Sequence, residues 1–199
     1  MPRDSSRNTK EAILLAALRL FSERGFDGVG VREIAGAVGL RESALYRHYS
    51  TKQEIFDSIL DRVGRRYEAT ESAPVGDARA ELFRLCRDMF TFYLTDEEAS
   101  QLRRMLTIEQ YRSTEAGRVF RELVLEAGLE HIGEALARLV DSGYYRTADP
   151  ETMALQLYAP LYLLLIRFDG QPGRREEAVA ALENHLDGFD RAYRADQER

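Results

Sequence analysis

The chain has 199 residues, 44% of them hydrophobic and 31% charged, with five prolines and a net charge of −6. This is the balance of a folded, helix-rich protein rather than a disordered one. One cysteine, Cys86, excludes an internal disulfide framework, and three scattered histidines exclude a clustered metal-ligand set.

Residues 1–8 carry no apolar signal-peptide stretch, and the most apolar run, Leu155 to Ile166, is too short to span a bilayer. A soluble cytoplasmic protein with no membrane partner is expected. No glycine-rich phosphate loop or nucleophile motif appears, so neither enzyme activity nor a cofactor or metal is expected. Cys86 reads as a small buried residue rather than a redox sensor. The charge is uneven: residues 1–66, with both lysines, carry a net +3, and residues 67–199 a net −9. A basic head on an acidic body suits a protein that meets phosphates at one end.

In chain order, residues 1–8 read as a flexible tail, with Arg3 and Arg7 more in keeping with solvated residues than with minor-groove contacts. A first helix starts with Thr9 as N-cap and carries an apolar stripe of Ile13, Ala17, Leu20 and Phe21, until Gly25 ends it. A short helix follows from Val31 to Val38, with Ile34 and Val38 on one face, and Gly39 stops it. Only Gly39, Leu40 and Arg41 separate it from a third helix, Glu42 to about His48. Ser50 or Thr51 caps a fourth, which buries Ile55, Phe56, Ile59, Leu60 and Val63.

Residues 71–77, with Pro74 and Gly76, read as a linker. Five more helices are predicted at 78–94, 97–111, 115–142, 149–168 and 174–194, the fourth of these opened by Asp149-Pro150. No strand-like alternation appears. The expected fold is all-α, about nine helices, divided into a tail (1–8), a three-helix head (9–50), a connecting helix (51–70) and a larger helical domain (71–199).

Two short helices joined by a tight glycine turn meet the geometric requirement of a helix-turn-helix. Ala35 is small enough for close approach, Gly39 can adopt the left-handed turn conformation, and Leu40 and Leu45 can lock the pair in place. The residues around this pattern are more specific. Ala17 to Gly28 (ALRLFSERGFDG), Val31-Arg32-Glu33-Ile34-Ala35, and Ser43-Ala44-Leu45-Tyr46-Arg47-His48-Tyr49 followed by Lys52 resemble the TetR/AcrR family of transcriptional regulators over the first third of the chain.

The resemblance implies a recognition helix at Glu42 to His48, with Ser43, Ala44 and Arg47 toward the major groove of double-stranded operator DNA. It implies phosphate contacts by Tyr46 and Lys52, and an aromatic pair, His48 and Tyr49, closing the helix. Tyr46 is expected exposed and Tyr49 buried. The chemistry agrees: phosphates favour hydroxyl and cationic donors, and a guanine edge needs a side chain such as Arg47. Two positions depart from the family pattern. Gly30 stands where a hydroxyl usually caps the second helix, and Arg41 where Ser usually caps the third, adding a cation near the backbone.

For the remainder, the resemblance implies dimerisation and sensing of a small-molecule effector, with release of a repressor from its operator. The helix at 149–168 is apolar nearly all round, and pairing it with the last helix across a two-fold axis would cover it. Leu161, Leu165, Ala178, Leu182, His185, Leu186 and Phe189 are the expected interface of the homodimer. An apolar or amphipathic effector is expected among Met89, Phe90, Tyr93, Met105, Ile108, Leu125, Leu129, Tyr158 and Tyr162, with Glu109, Tyr111, Arg112 and Gln156 as polar partners. The competing reading is a helical adaptor for a protein partner, which salt-sensitive DNA binding would exclude.

Overall fold

The computed structural model describes residues 3–68 and 77–195. Residues 71–76 of the linker read at 71–77, and the side chains of Arg3, Arg7 and Val63, lie outside the described residues. Among the described residues ten α-helices follow in order: α1 (Arg3–Arg24), α2 (Val31–Ala37), α3 (Glu42–Leu45), α4 (Lys52–Glu68), α5 (Ala78–Thr95), α6 (Glu97–Glu109), α7 (Thr114–Phe120), α8 (Ala127–Asp141), α9 (Pro150–Phe168) and α10 (Arg175–Tyr193). A π-helical turn, Arg121–Glu126, joins α7 to α8 without a break, so the two occupy the single run expected at 115–142. Among the described residues there is no strand, only an isolated bridge between Tyr145 and Arg194. No described helix is long and apolar enough to cross a membrane.

The helix boundaries follow local chemistry. Asp77, Ser113 and Asp149 each accept the backbone N–H three residues on, at 3.3, 3.2 and 3.0 Å, and Pro150 follows Asp149 where a missing N–H costs nothing. α1 departs from expectation by starting at Arg3, running through the residues read as a tail and past Thr9. The chain forms two compact units: Met1–Glu71 with Glu97–Val124, and Ser72–Asp96 with Leu125–Arg199. Residues 97–124 therefore pack with the N-terminal head, not with the larger domain in which the linker at 71–77 would place them.

In the first unit α1 packs on α2, α4 and α6. Ile13, Ala17 and Phe21 are buried as expected, but Leu18 is buried with them and Leu20 is only half-buried. A helix covered by several neighbours buries a broader face than a single stripe. Phe21, Phe26 and Phe56 form a triangle of rings with centroids 5.2 to 6.0 Å apart.

The second unit is built from α5, α8, α9 and α10 around Leu82, Phe90, Ile132, Leu136, Leu157 and Leu182. Cys86 is buried in this core, and burial raises its thiol pKa to about 12, consistent with an inert packing residue. Gly128 lets α8 close on α9: a Cβ there would lie 2.6 Å from the Tyr158 ring. Asp190 of α10 is buried and accepts from Arg79 of α5 at 3.1 and 3.3 Å, from the Tyr144 and Tyr145 hydroxyls at 3.1 Å each, and from Arg194.

The same packing covers most of the residues expected at the interface. Leu161, Leu165, Ala178, Leu182, Leu186 and Phe189 are all buried against the unit's own core, so they have almost no area to offer a partner. His185 is half-buried, its Nε2 2.9 Å from the Leu157 carbonyl. The large apolar residues that α9 and α10 leave exposed are Leu155, Leu163, Ile166 and Val179.

Candidate nucleic-acid interface

The site is built on α2, the turn after it, and α3. The turn is a Schellman motif: Leu40 N–H donates to Ala35 O at 2.9 Å and Gly39 N–H to Gly36 O at 3.1 Å. Gly39 sits at φ +71°, a conformation that penalises any residue with a Cβ. Ile34, Ala35 and Leu45 are buried and hold both helices to the head, while Leu40 is half-buried. The segment expected to be the recognition helix is only partly α-helical. α3 ends at Leu45, and Arg47 and His48 donate to Ala44 O and Leu45 O at 3.3 and 2.8 Å in a tightened last turn.

The segment divides cleanly into two faces. Arg41, Ser43, Tyr46 and Arg47 are exposed, Tyr46 to 45%. Ala44 and His48 are half-buried and Tyr49 is buried, so the aromatic pair is split between surface and core. The exposed face also carries the acidic Glu42.

Lys52, expected at a phosphate, is engaged by the protein's own backbone. Its Nζ donates to Phe26 O at 2.8 Å and to Val29 O at 3.0 Å, and lies 4.1 Å from the Phe26 ring centre. Two of its three donors therefore brace the loop between α1 and α2. Lys10 is also engaged, its Nζ 4.9 Å from the Tyr49 ring centre.

At Gly30 the missing hydroxyl is compensated from the other direction. Glu33 Oε2 accepts the Gly30 N–H at 2.8 Å, and Glu33 Oε1 accepts from Arg24 Nη1 at 2.9 Å. The Gly30 N–H and then Arg24 hold the Glu33 carboxyl below its ordinary pKa. A glutamate three residues after a cap position is a legible capping signal, although the sequence reading passed over it. Arg41, as expected, makes no side-chain cap bond on α3.

The expected effector residues do not gather in one unit. Met105, Ile108 and Glu109 stand on α6 in the first, and Met89, Tyr93, Leu125, Leu129, Tyr158 and Tyr162 belong to the second. Met105 is fully buried. Glu109 is 3% exposed and its Oε1 accepts the Phe26 N–H at 2.8 Å, so this carboxylate is committed to the head. Tyr111 is 90% exposed, and Gln156 accepts from the Tyr193 hydroxyl.

A buried two-helix scaffold that presents hydroxyl and guanidinium groups on a short exposed helix is the architecture of a helix-turn-helix protein. Residues 13–59 match the bacterial regulatory proteins of the tetR family, and residues 80–195 match the C-terminal domain of AefR-like transcriptional repressors. The chain belongs to the TetR family, whose members are transcriptional regulators rather than enzymes.

It is 37% identical over 62 residues to the transcriptional activator FasR of Mycolicibacterium smegmatis, covering 31% of this chain and 27% of FasR. The chain thus spans about a quarter of the length of FasR. It is 31% identical over 140 residues to the transcriptional repressor KstR2 of Rhodococcus jostii, covering 63% of this chain and 67% of KstR2. The solved structure of SmeT, repressor of the Stenotrophomonas maltophilia multidrug efflux pump SmeDEF, superposes with a TM-score of 0.66 at 25% identity, covering 94% of this chain and 91% of SmeT.

Proposed function

We propose that this protein is a cytoplasmic, DNA-binding transcriptional regulator that acts as a repressor and leaves its operator when a small apolar or amphipathic molecule binds. The observation that carries this reading is the exposed edge of Arg41, Ser43, Tyr46 and Arg47 over the buried anchors Ile34, Ala35 and Leu45. Arg47 reads a base edge, Tyr46 binds a phosphate oxygen, and Arg41 adds charge at the start of the helix. The AefR-like match and the repressor KstR2 favour repression.

One protomer supplies one recognition segment, and an operator of two half-sites about 34 Å apart requires two. The exposed apolar residues Leu155, Leu163 and Ile166 of α9, with Val179 of α10, provide a face on which a second copy would bury its equivalents. The half-buried Met89, Tyr93, Leu129 and Tyr162, packed against the core of the second unit, suit an apolar effector there.

The test is fluorescence anisotropy with DNA from upstream of the protein's own gene and from genomic fragments, across a salt series. Tight, sequence-selective binding that weakens steeply with salt and is lost in the Tyr46→Ala, Arg47→Ala double variant supports the reading. Weak binding that ignores sequence and both substitutions overturns it.

A further inference from the structure

We infer that Glu109, at the end of α6, is a positioning residue for operator binding: its carboxylate holds the loop between α1 and α2, and through it the helix-turn-helix, in the DNA-competent arrangement. The inference rests on the regulator reading above.

Phe26 is gripped from two sides by opposite charges. Glu109 Oε1 accepts its N–H at 2.8 Å, and Lys52 Nζ donates to its carbonyl at 2.8 Å. Hydrogen bonds with one charged partner are short and strong, and here two of them meet on one residue. Lys52 also reaches Val29 O at 3.0 Å, immediately before Gly30, where α2 begins. A continuous set of bonds therefore runs from α6 through Phe26 and Lys52 to the entry of α2 and the start of α4.

The site is made to fit this carboxylate. Glu109 is buried, although an unpaired carboxylate in such a place would be strongly unfavourable. Gly25, just before Phe26, sits at φ +74°, and a Cβ there would come within 2.8 Å of the same Oε1. The approach of α6 to the loop thus depends on an absent side chain and on a backbone conformation suited to glycine.

The other end of α6 is tied down independently. Arg62 of α4 pairs with Glu98 of α6 at 2.9 Å and with Glu11 of α1 at 2.5 Å. With its other end held by Arg62, α6 is a support for the Glu109 carboxylate, and removing that carboxylate frees the loop while the Arg62 tie to the helix remains.

Operator affinity, salt dependence, thermal unfolding and backbone hydrogen exchange of wild type, Glu109→Ala and Glu109→Gln test this. Glu109→Ala is expected to bind operator at least about tenfold more weakly at a temperature where it is fully folded. Its salt dependence should be unchanged, because no phosphate contact is removed. Glu109→Gln keeps an acceptor oxygen and should recover affinity to within about threefold of wild type. Exchange at the amides of Phe26 to Gly30 should accelerate in Glu109→Ala and not in Glu109→Gln.

A Glu109→Ala protein that melts earlier but binds operator as tightly as wild type would overturn the inference, as would unchanged exchange at Phe26. If wild type itself binds no DNA, the regulator reading fails, and the positioning role for operator binding fails with it. Faster exchange at Phe26 in Glu109→Ala would then identify a purely structural brace.

Discussion

Lys52 Nζ lies 2.8 Å from the Phe26 carbonyl and 4.1 Å from the centre of the Phe26 ring, so the cation at the start of α4 faces the protein's own backbone. The ring belongs to the aromatic triangle of the head, and the carbonyl belongs to the loop leading to α2. One side chain therefore joins the core of the head to the entry of the helix-turn-helix.

Lys52→Ala is expected to destabilise the protein by about 2 kcal/mol, the scale of hydrogen bonds with one charged partner. Thermal or urea unfolding measures this. Salt dependence of DNA binding separates a brace from a phosphate ligand: a brace leaves the slope unchanged, whereas each lost phosphate contact lowers it by about one.

Arg47 and Tyr46 should differ in kind. Arg47→Ala is expected to weaken operator binding by about 1–3 kcal/mol and to relax preference at one base pair. Tyr46→Phe removes a hydroxyl and should weaken binding evenly across sequences. Affinities for single-base operator variants make the distinction.

The two glycines with left-handed backbones beside the site should respond unequally. Gly39→Ala meets open space at φ +71°, so only the conformational penalty of about 1–2 kcal/mol applies. Gly25→Ala meets the same penalty at φ +74° and also places a Cβ 2.8 Å from Glu109. Gly25→Ala should therefore show the larger fall in melting temperature.

Burial pushes the Asp190 carboxyl up, but hydrogen bonds from Arg79, Arg194 and Tyr145 outweigh it and leave its pKa below the ordinary value. A carboxyl depressed in the folded state stabilises fully above its unfolded pKa of about 3.9 and loses that contribution as pH falls through the folded value. Asp190→Asn should cost about 3 kcal/mol at pH 7. The difference from wild type should shrink below about pH 4, as melting curves from pH 7 to 3 would record.

Leu163 is 64% exposed on α9, so Leu163→Glu should leave the fold of a protomer intact. If the exposed face joins two copies, sedimentation should show wild type as a dimer and the variant as a monomer, with operator affinity lost in parallel. A variant that remains dimeric would place the interface elsewhere.

Much of the fold was legible because helix boundaries are decided locally. Gly25 and Gly39 stop helices and the Asp149-Pro150 pair starts one, each acting within four residues of backbone. The outward Tyr46 was legible from the family resemblance of residues 43–49, and the inward Leu45 from its apolar character beside a tight glycine turn.

Only the tertiary structure decided which side of each helix is covered and which charges turn inward. Leu161 and Leu182 show the same apolar periodicity whether they meet their own core or a partner, and the packing of α5, α8, α9 and α10 assigns them to the core. Glu109 and Phe26 are separated by 83 residues, a pairing no local signal encodes. Lys52 reads in sequence as a cation at a helix start, yet two carbonyls brought beside it by the fold engage it first. Backbone conformation answers to near neighbours, whereas burial and hydrogen bonding of charged side chains answer to whatever the fold brings into contact.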